Sequence, residues 1–192
     1  MIIDLLDTYV NRDDWSTVGP SFSCIQMGYS HLRLVFSTRG SVMNVNGYEI
    51  KPGAYLGGAD FRSLTFESVD FEKCFLNRCD FRGATFLNCS FRVCKMNSSN
   101  LTDSKFVECD FSAAQLRGSL LSGVELNTSS FKNVDFSIAT MTSLDLRGVM
   151  LDEVNFKQTD LRGSNLTGAS VVGVIWSNAK LDGAISPDGI AY

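Results

Sequence analysis

Cysteine is the residue type in this chain best placed to do chemistry. Four of its six cysteines fall within one stretch, "CFLNRCDFRGATFLNCSFRVC", at Cys74, Cys79, Cys89 and Cys94. Four thiolates so close in sequence could hold a zinc ion tetrahedrally, form a redox centre or close a disulfide knot. The other usual carriers of chemistry are sparse. His31 is the single histidine, so no second imidazole can complete a ligand pair or a proton relay. Aspartates recur at Asp60, Asp70, Asp80, Asp110, Asp135, Asp145 and Asp160, each directly before a large apolar residue. General acid–base catalysis needs one carboxylate in an unusual environment, and a carboxylate repeated at one position is the mark of a structural motif. No G-x-S-x-G, H-E-x-x-H or phosphate-cradling glycine loop occurs. The residues predict neither an enzyme nor a cofactor or metal site.

The cysteine spacing is C-x4-C-x9-C-x4-C, and every interval is a multiple of five. That number runs through the chain. From Leu56 to Leu181 every fifth residue is large and apolar, through Phe61, Phe66, Phe71, Leu76, Phe81 and Phe86 to Trp176, without an insertion. This series holds 11 of the 14 phenylalanines. A second series, two residues earlier, is mostly small: Ala54, Ala59, Cys74, Cys79, Ala84, Cys89, Cys94, Ser99, and on to Ala184. Glycine favours the place two after the large residue, as at Gly83, Gly118, Gly148 and Gly163. A period of five fits neither a helix at 3.6 nor a strand at 2.0. It fits a chain that turns a corner every five residues, with a large and a small side chain pointing inward from each side. Proline, which would remove a backbone donor, occurs only at Pro20, Pro52 and Pro187, outside the periodic stretch or at its end.

The units "ADFRS", "CDFRG", "SNLTD", "CDFSA", "TDLRG" and "SNLTG" resemble the A(D/N)Lxx repeats of the pentapeptide-repeat family. The resemblance covers residues 54–185 and implies an all-β fold: a right-handed quadrilateral parallel β-helix, a solenoid with four pentads per coil. Coils spaced like strands in a sheet would make a rod roughly 30 Å long. On that coil Cys74 and Cys94 stack on one side, Cys89 and Cys109 on another, and Cys79 on a third. Four sulfurs so placed cannot surround a zinc ion, and the expected role is that of a small buried hydrophobe.

Residues 1–53 break the five-residue rule and are expected to cap the N-terminal end of the solenoid, since a bare coil exposes an edge and an open core. "MIIDLLDTYV" has helical apolar spacing. "HLRLVF", "SVMNV" and "YEI" read as strands, the last two joined at Asn46-Gly47, a hairpin signal. The segment could also carry partner recognition. Residues 186–192 read as a short tail in which Pro187 and Gly189 oppose a helix.

With 44% apolar and 20% charged residues in 192, the chain can bury a core. A net charge of −4 gives no footprint for direct nucleic-acid binding. No run is apolar enough for a membrane span. The acidic N-terminus lacks the basic start of a secretory signal, so reduced thiols in the bacterial cytoplasm are expected. Sorting charges by side of the coil places Arg78, Lys95, Arg117 and Lys157 against Asp135 on one side, a net of +3, while the other three carry −1, −2 and −2. Those four cations are the candidate binding surface. The sequence therefore predicts a non-catalytic, rigid scaffold that binds another protein through its faces or its cap. The resemblance implies two further readings. One is an acidic rod that imitates duplex DNA and protects DNA gyrase or topoisomerase IV against antibiotics; the other is a secreted bacterial effector.

Overall fold

A computed structural model describes residues 24–28, 31–35, 42–126 and 128–192. Within the periodic region the chain winds into a four-sided coil in which the bridging residue of a pentad, n, pairs in parallel with n+20. Tyr55 bridges Phe75, Asp60 bridges Asp80, Asp70 bridges Ser90, and the pattern continues to Asn165 with Ile185. One side lengthens into short strands after the cap. These are β5 (Thr65–Glu67), β6 (Thr85–Leu87) and β7 (Lys105–Val107), paired in order with Phe66, Phe86 and Phe106 in register.

The five-residue unit follows from where its backbone donors go, because a buried N–H must find an acceptor. Take the pentad Ala59 to Ser63. Ala59 N–H bonds back to Leu56, closing a turn (3.0 Å), while Phe61 and Ser63 donate to Asp80 and Arg82 of the next coil. Asp80 in turn donates to Ala59 of the coil before (2.9 Å). The remaining N–H, that of Arg62, is accepted by Asp60 Oδ1 (3.1 Å). The same capture of the N–H two residues on recurs at Asp70, Asp80, Asn100, Asp110, Asp135, Asp145, Asn155, Asp160 and Asn165. The repeated carboxylates and amides therefore close local turns that the ladder leaves open.

The corner is made by one residue in the left-handed region. Every fifth residue from Gly53 to Gly183 has positive φ, and most of these residues are not glycine. Val93 (φ 56°), Thr128 (φ 56°) and Ile138 (φ 61°) are β-branched, the residue class for which this conformation is most strained. Glycine is the residue the sequence favours at this place, and these apolar corners depart from it. Tertiary pairing on both flanks of each corner holds Val93 and Ile138 there as well.

Inside, the large residues stack along the axis. Phe66, Phe86 and Phe106 lie 5.0 and 4.8 Å apart, centroid to centroid, and Phe71, Phe91 and Phe111 repeat this at 4.9 Å. Neighbouring sides meet edge to face, as Phe66 does with Phe71 at 74°. The eleven phenylalanines of the series are all fully buried. Each such contact adds roughly 0.5–1.5 kcal/mol beyond the area it removes from water.

At the N-terminal end, β1 (Cys24–Gly28) and β2 (His31–Val35) form an antiparallel pair, and β2 continues in parallel onto β5. The strand at residues 24–28 carried no signal read from the sequence. The hairpin β3 (Met43–Val45) and β4 (Tyr48–Ile50) turns at Asn46-Gly47, both with positive φ, and buries Met43, Val45 and Ile50. Tyr48 meets Phe61 edge-on at 5.9 Å. The helix expected at residues 1–10 lies outside the described residues. At the far end the tail folds back so that Ala191 bridges Ile185 and Tyr192 N–H reaches Ala184 (2.9 Å), leaving Val171, Val174, Trp176 and Leu181 only half-buried.

The corner geometry gives the first test. Ile138 is 45% exposed, so replacing it loses little burial and relieves its backbone. Ile138→Gly is expected to raise unfolding stability by about 1 kcal/mol in denaturant titration. Gly123→Ala is expected to lower it by about 1–2 kcal/mol, because its Cβ would strike the Asp103 carboxylate and φ is +71°.

Candidate functional site

The cysteines form part of the inner wall. Cys74, Cys79, Cys89, Cys94 and Cys109 are buried, unbridged and spread over three sides of the coil. Each thiol donates to a carbonyl of the coil before: Cys74 to Lys51 (3.1 Å), Cys79 to Leu56 (3.0 Å) and Cys94 to Phe71 (2.6 Å), with longer contacts from Cys89 to Phe66 and Cys109 to Phe86. Hydroxyls at the same place in other pentads do likewise, Ser99 to Leu76 and Ser164 to Met141 at 2.7 Å each. Cysteine here is thus a weak donor as well as a small hydrophobe. Burial pushes the thiols of Cys74 and Cys79 up to about 11 and raises those of Cys89 and Cys94 as well, so none of these four is a thiolate near neutrality. No cluster of three metal-ligating side chains occurs among the described residues.

Charge on the outer surface is committed to different degrees. On two sides, arginine folds back onto the aspartate two residues earlier. Arg62 holds Asp60, Arg82 holds Asp80, Arg147 holds Asp145 and Arg162 holds Asp160, each with Nε on Oδ1 and the terminal nitrogen on Oδ2 at 2.6 Å. The guanidinium lowers the pKa of each of these carboxyls, that of Asp60 to about 2. Such two-pronged pairs spend both charges locally.

The side that runs through Tyr55, Phe75, Lys95, Gln115, Asp135, Asn155 and Ile175 is different. It carries all four sequence-predicted cations. Arg78, Lys95, Arg117 and Lys157 are exposed, and none makes an ion pair among the described residues. The backbone beneath them is stiffened by an amide ladder in which Asn77 Oδ1 accepts from Asn97 N–H and Asn97 Oδ1 from Arg117 N–H, each at 3.0 Å. Beside the cations the structure adds an aromatic element that charge sorting missed. Tyr55, 81% exposed, stacks on Phe75 with centroids 4.4 Å apart and planes 7° from parallel, and Lys95 Nζ sits 4.9 Å from the Phe75 centroid. A signal was available. Phe75 is the one phenylalanine of the repeats outside the five-residue inward series, and Tyr55 lies one coil before it.

Parallel stacking at n+20, inward large and small residues and a left-handed corner every five residues define a pentapeptide-repeat β-helix. The family described as "Pentapeptide repeat region" matches residues 60–139, and "Pentapeptide repeats (8 copies)" matches 129–168 and 159–185. The chain belongs to the pentapeptide-repeat family. No curated protein matches it. Solved structures similar to it include HetL, from the cyanobacterium Nostoc, described as involved in heterocyst differentiation regulation. It is 22% identical over 74% of this chain and 76% of its own, with a TM-score of 0.46. QnrB1, described as a plasmid-mediated fluoroquinolone resistance protein, is 21% identical over 68% and 76%, with a TM-score of 0.38. Rfr23, from the cyanobacterium Cyanothece, is 18% identical over 73% and 88%, with a TM-score of 0.25.

Two measurements check these assignments. In Cys24→Ser protein, a thiol-specific disulfide reagent at pH 8 is expected to leave the five repeat cysteines largely unreacted until denaturant is added, and a chelator is expected to leave the fold intact. The Asp–Arg pairs set an acid limit. Carboxyls with lowered folded pKa contribute stability above their unfolded value, near 4, and lose it as pH falls toward 2. The melting temperature is expected to drop across that window, and less steeply in an Arg62→Gln, Arg82→Gln variant.

Proposed function

We propose that the protein is a non-catalytic, rigid scaffold that binds another protein, and that the face carrying Arg78, Lys95, Arg117 and Lys157 is the binding surface. The observation behind this reading is the contrast in commitment of charge: among the described residues these four cations make no ion pair, whereas Arg62, Arg82, Arg147 and Arg162 are each locked to an aspartate. Exposed charge beside an aromatic pair whose outer ring, Tyr55, is exposed, on a stiff backbone, is the composition of a protein-recognition surface. A rod held by backbone bonds between coils also loses little conformational freedom on binding.

A DNA-imitating rod is supported less well by the charge distribution. An imitator needs a sustained line of negative potential, since duplex DNA carries one charge per ~1.7 Å. Here Asp60, Asp80, Asp145 and Asp160 are neutralised in place.

A photo-crosslinking amino acid in place of Gln115 is expected to capture one protein in cells of the native host, and the same group in place of Thr102, on an adjacent side, is expected to capture none. Equal capture from both positions, or none from either, overturns the assignment of the face. In a DNA gyrase supercoiling assay with and without a fluoroquinolone, micromolar protein is expected neither to inhibit nor to protect.

A further inference from the structure

The binding face has a polarity that specifies what it should bind. Along its central column the order is Tyr55, Phe75, Lys95, one residue per coil. Phe75 is covered on both ring faces, by Tyr55 at 4.4 Å and by the Lys95 ammonium at 4.9 Å. The stack therefore has two ends of unlike chemistry. One is the open face of the Tyr55 ring, 81% exposed, and the other is an ammonium that makes no ion pair among the described residues. Arg78 and Arg117 stand exposed on the same coil as Phe75 and the one after Lys95, and extend the positive end.

From these observations we infer that the face binds an extended acidic peptide segment of its partner, in which an aromatic side chain stacks on Tyr55 and a carboxylate about four residues away pairs with Lys95. This rests on the protein-binding reading above and names the chemistry of the bound segment. A ring on the open face of Tyr55 lies one step beyond it, so three steps at ~4.8 Å, roughly 14 Å, separate that ring from the Lys95 position, and an extended chain covers the distance in about four residues at ~3.3 Å each. A ring added to the Tyr55–Phe75 stack gains the dispersion and quadrupole terms of an offset aromatic pair. A carboxylate at Lys95 meets a cation already held on one side by the Phe75 face. Single-stranded nucleic acid, the other ligand that joins stacking to negative charge, is disfavoured by the acidic sides flanking this one and by Asp135 in the column itself.

The test uses the full chain and a fluorescein-labelled ten-residue peptide with one Trp and Glu at the third, fourth and fifth residues after it. Binding by anisotropy at low salt is expected with a dissociation constant below about 1 mM. Tyr55→Ala and Lys95→Glu are each expected to weaken it by about fivefold or more, with Tyr55→Phe retaining it and Lys132→Glu, on another side, leaving it unchanged. A peptide with Gln for Glu, or with Glu directly after Trp, is expected to bind more weakly by a similar factor. Circular dichroism verifies that each variant folds. The inference is overturned by no binding at 1 mM, by equal binding of the variants, by indifference to the Trp–Glu spacing, or by tighter binding of a ten-nucleotide oligothymidylate. A crosslink from position 115 combined with failure of the peptide would reject the proposed segment and leave the protein-binding reading standing.

Discussion

Each fifth residue of this chain turns through the left-handed region, and the coil exists because that turn lets backbone groups on either side meet the coils above and below. At Ser63, for example, φ is 57° and the N–H reaches Arg82 O at 3.0 Å. A strained corner costs roughly 1–2 kcal/mol for a non-glycine residue, so the fold must recover that many times over from what the corner aligns. It does so in two ways: the ladder between coils, and the inward columns of large apolar residues, in which phenylalanines one coil apart lie at stacking distance. Corners and core are therefore one device. Neither is stable alone, since a single coil cannot bury its inward side chains.

The same device explains why the residues that looked chemical are structural. A pentad leaves one N–H without a ladder partner, and an aspartate or asparagine at the bridging position accepts it. The carbonyl of the large inward residue has room for a second donor, and cysteine, serine or threonine one coil later supplies it. Thiols and carboxylates thus recur every five residues because the backbone does. What the repeat does not prescribe is the outward side chain beyond that aspartate, and there the sides diverge. Two use arginine to neutralise the aspartate. One leaves four cations uncommitted and adds an aromatic stack.

Much of the architecture was legible in the residues. The unbroken series from Leu56 to Leu181 names the buried positions, and Phe61 through Phe156 lie where it places them. The candidate cations were legible as a set, because n+20 stacking converts sequence position into side of the coil. The cap was less so. The β3–β4 hairpin announced itself at Asn46-Gly47, whereas β1 did not, since a five-residue strand whose only visible partner is another cap strand has no periodic context. Apolar corners such as Val93 and Ile138 also ran against local preference, which tertiary pairing overrode.

By itself, the sequence determined the period, the inward and outward faces, the family and which cations share a side. These are matters of spacing, and a repeat with no insertions transmits spacing without error. Only the tertiary structure decided which charges are already spent and which are available, and that Tyr55, Phe75 and Lys95 form one stack. Sequence order shows that Arg62 follows Asp60 just as Lys157 follows Asn155. Whether a guanidinium closes on a carboxylate, or an ammonium settles on a ring one coil away, depends on side-chain geometry across coils, twenty residues apart in the chain and in contact in space.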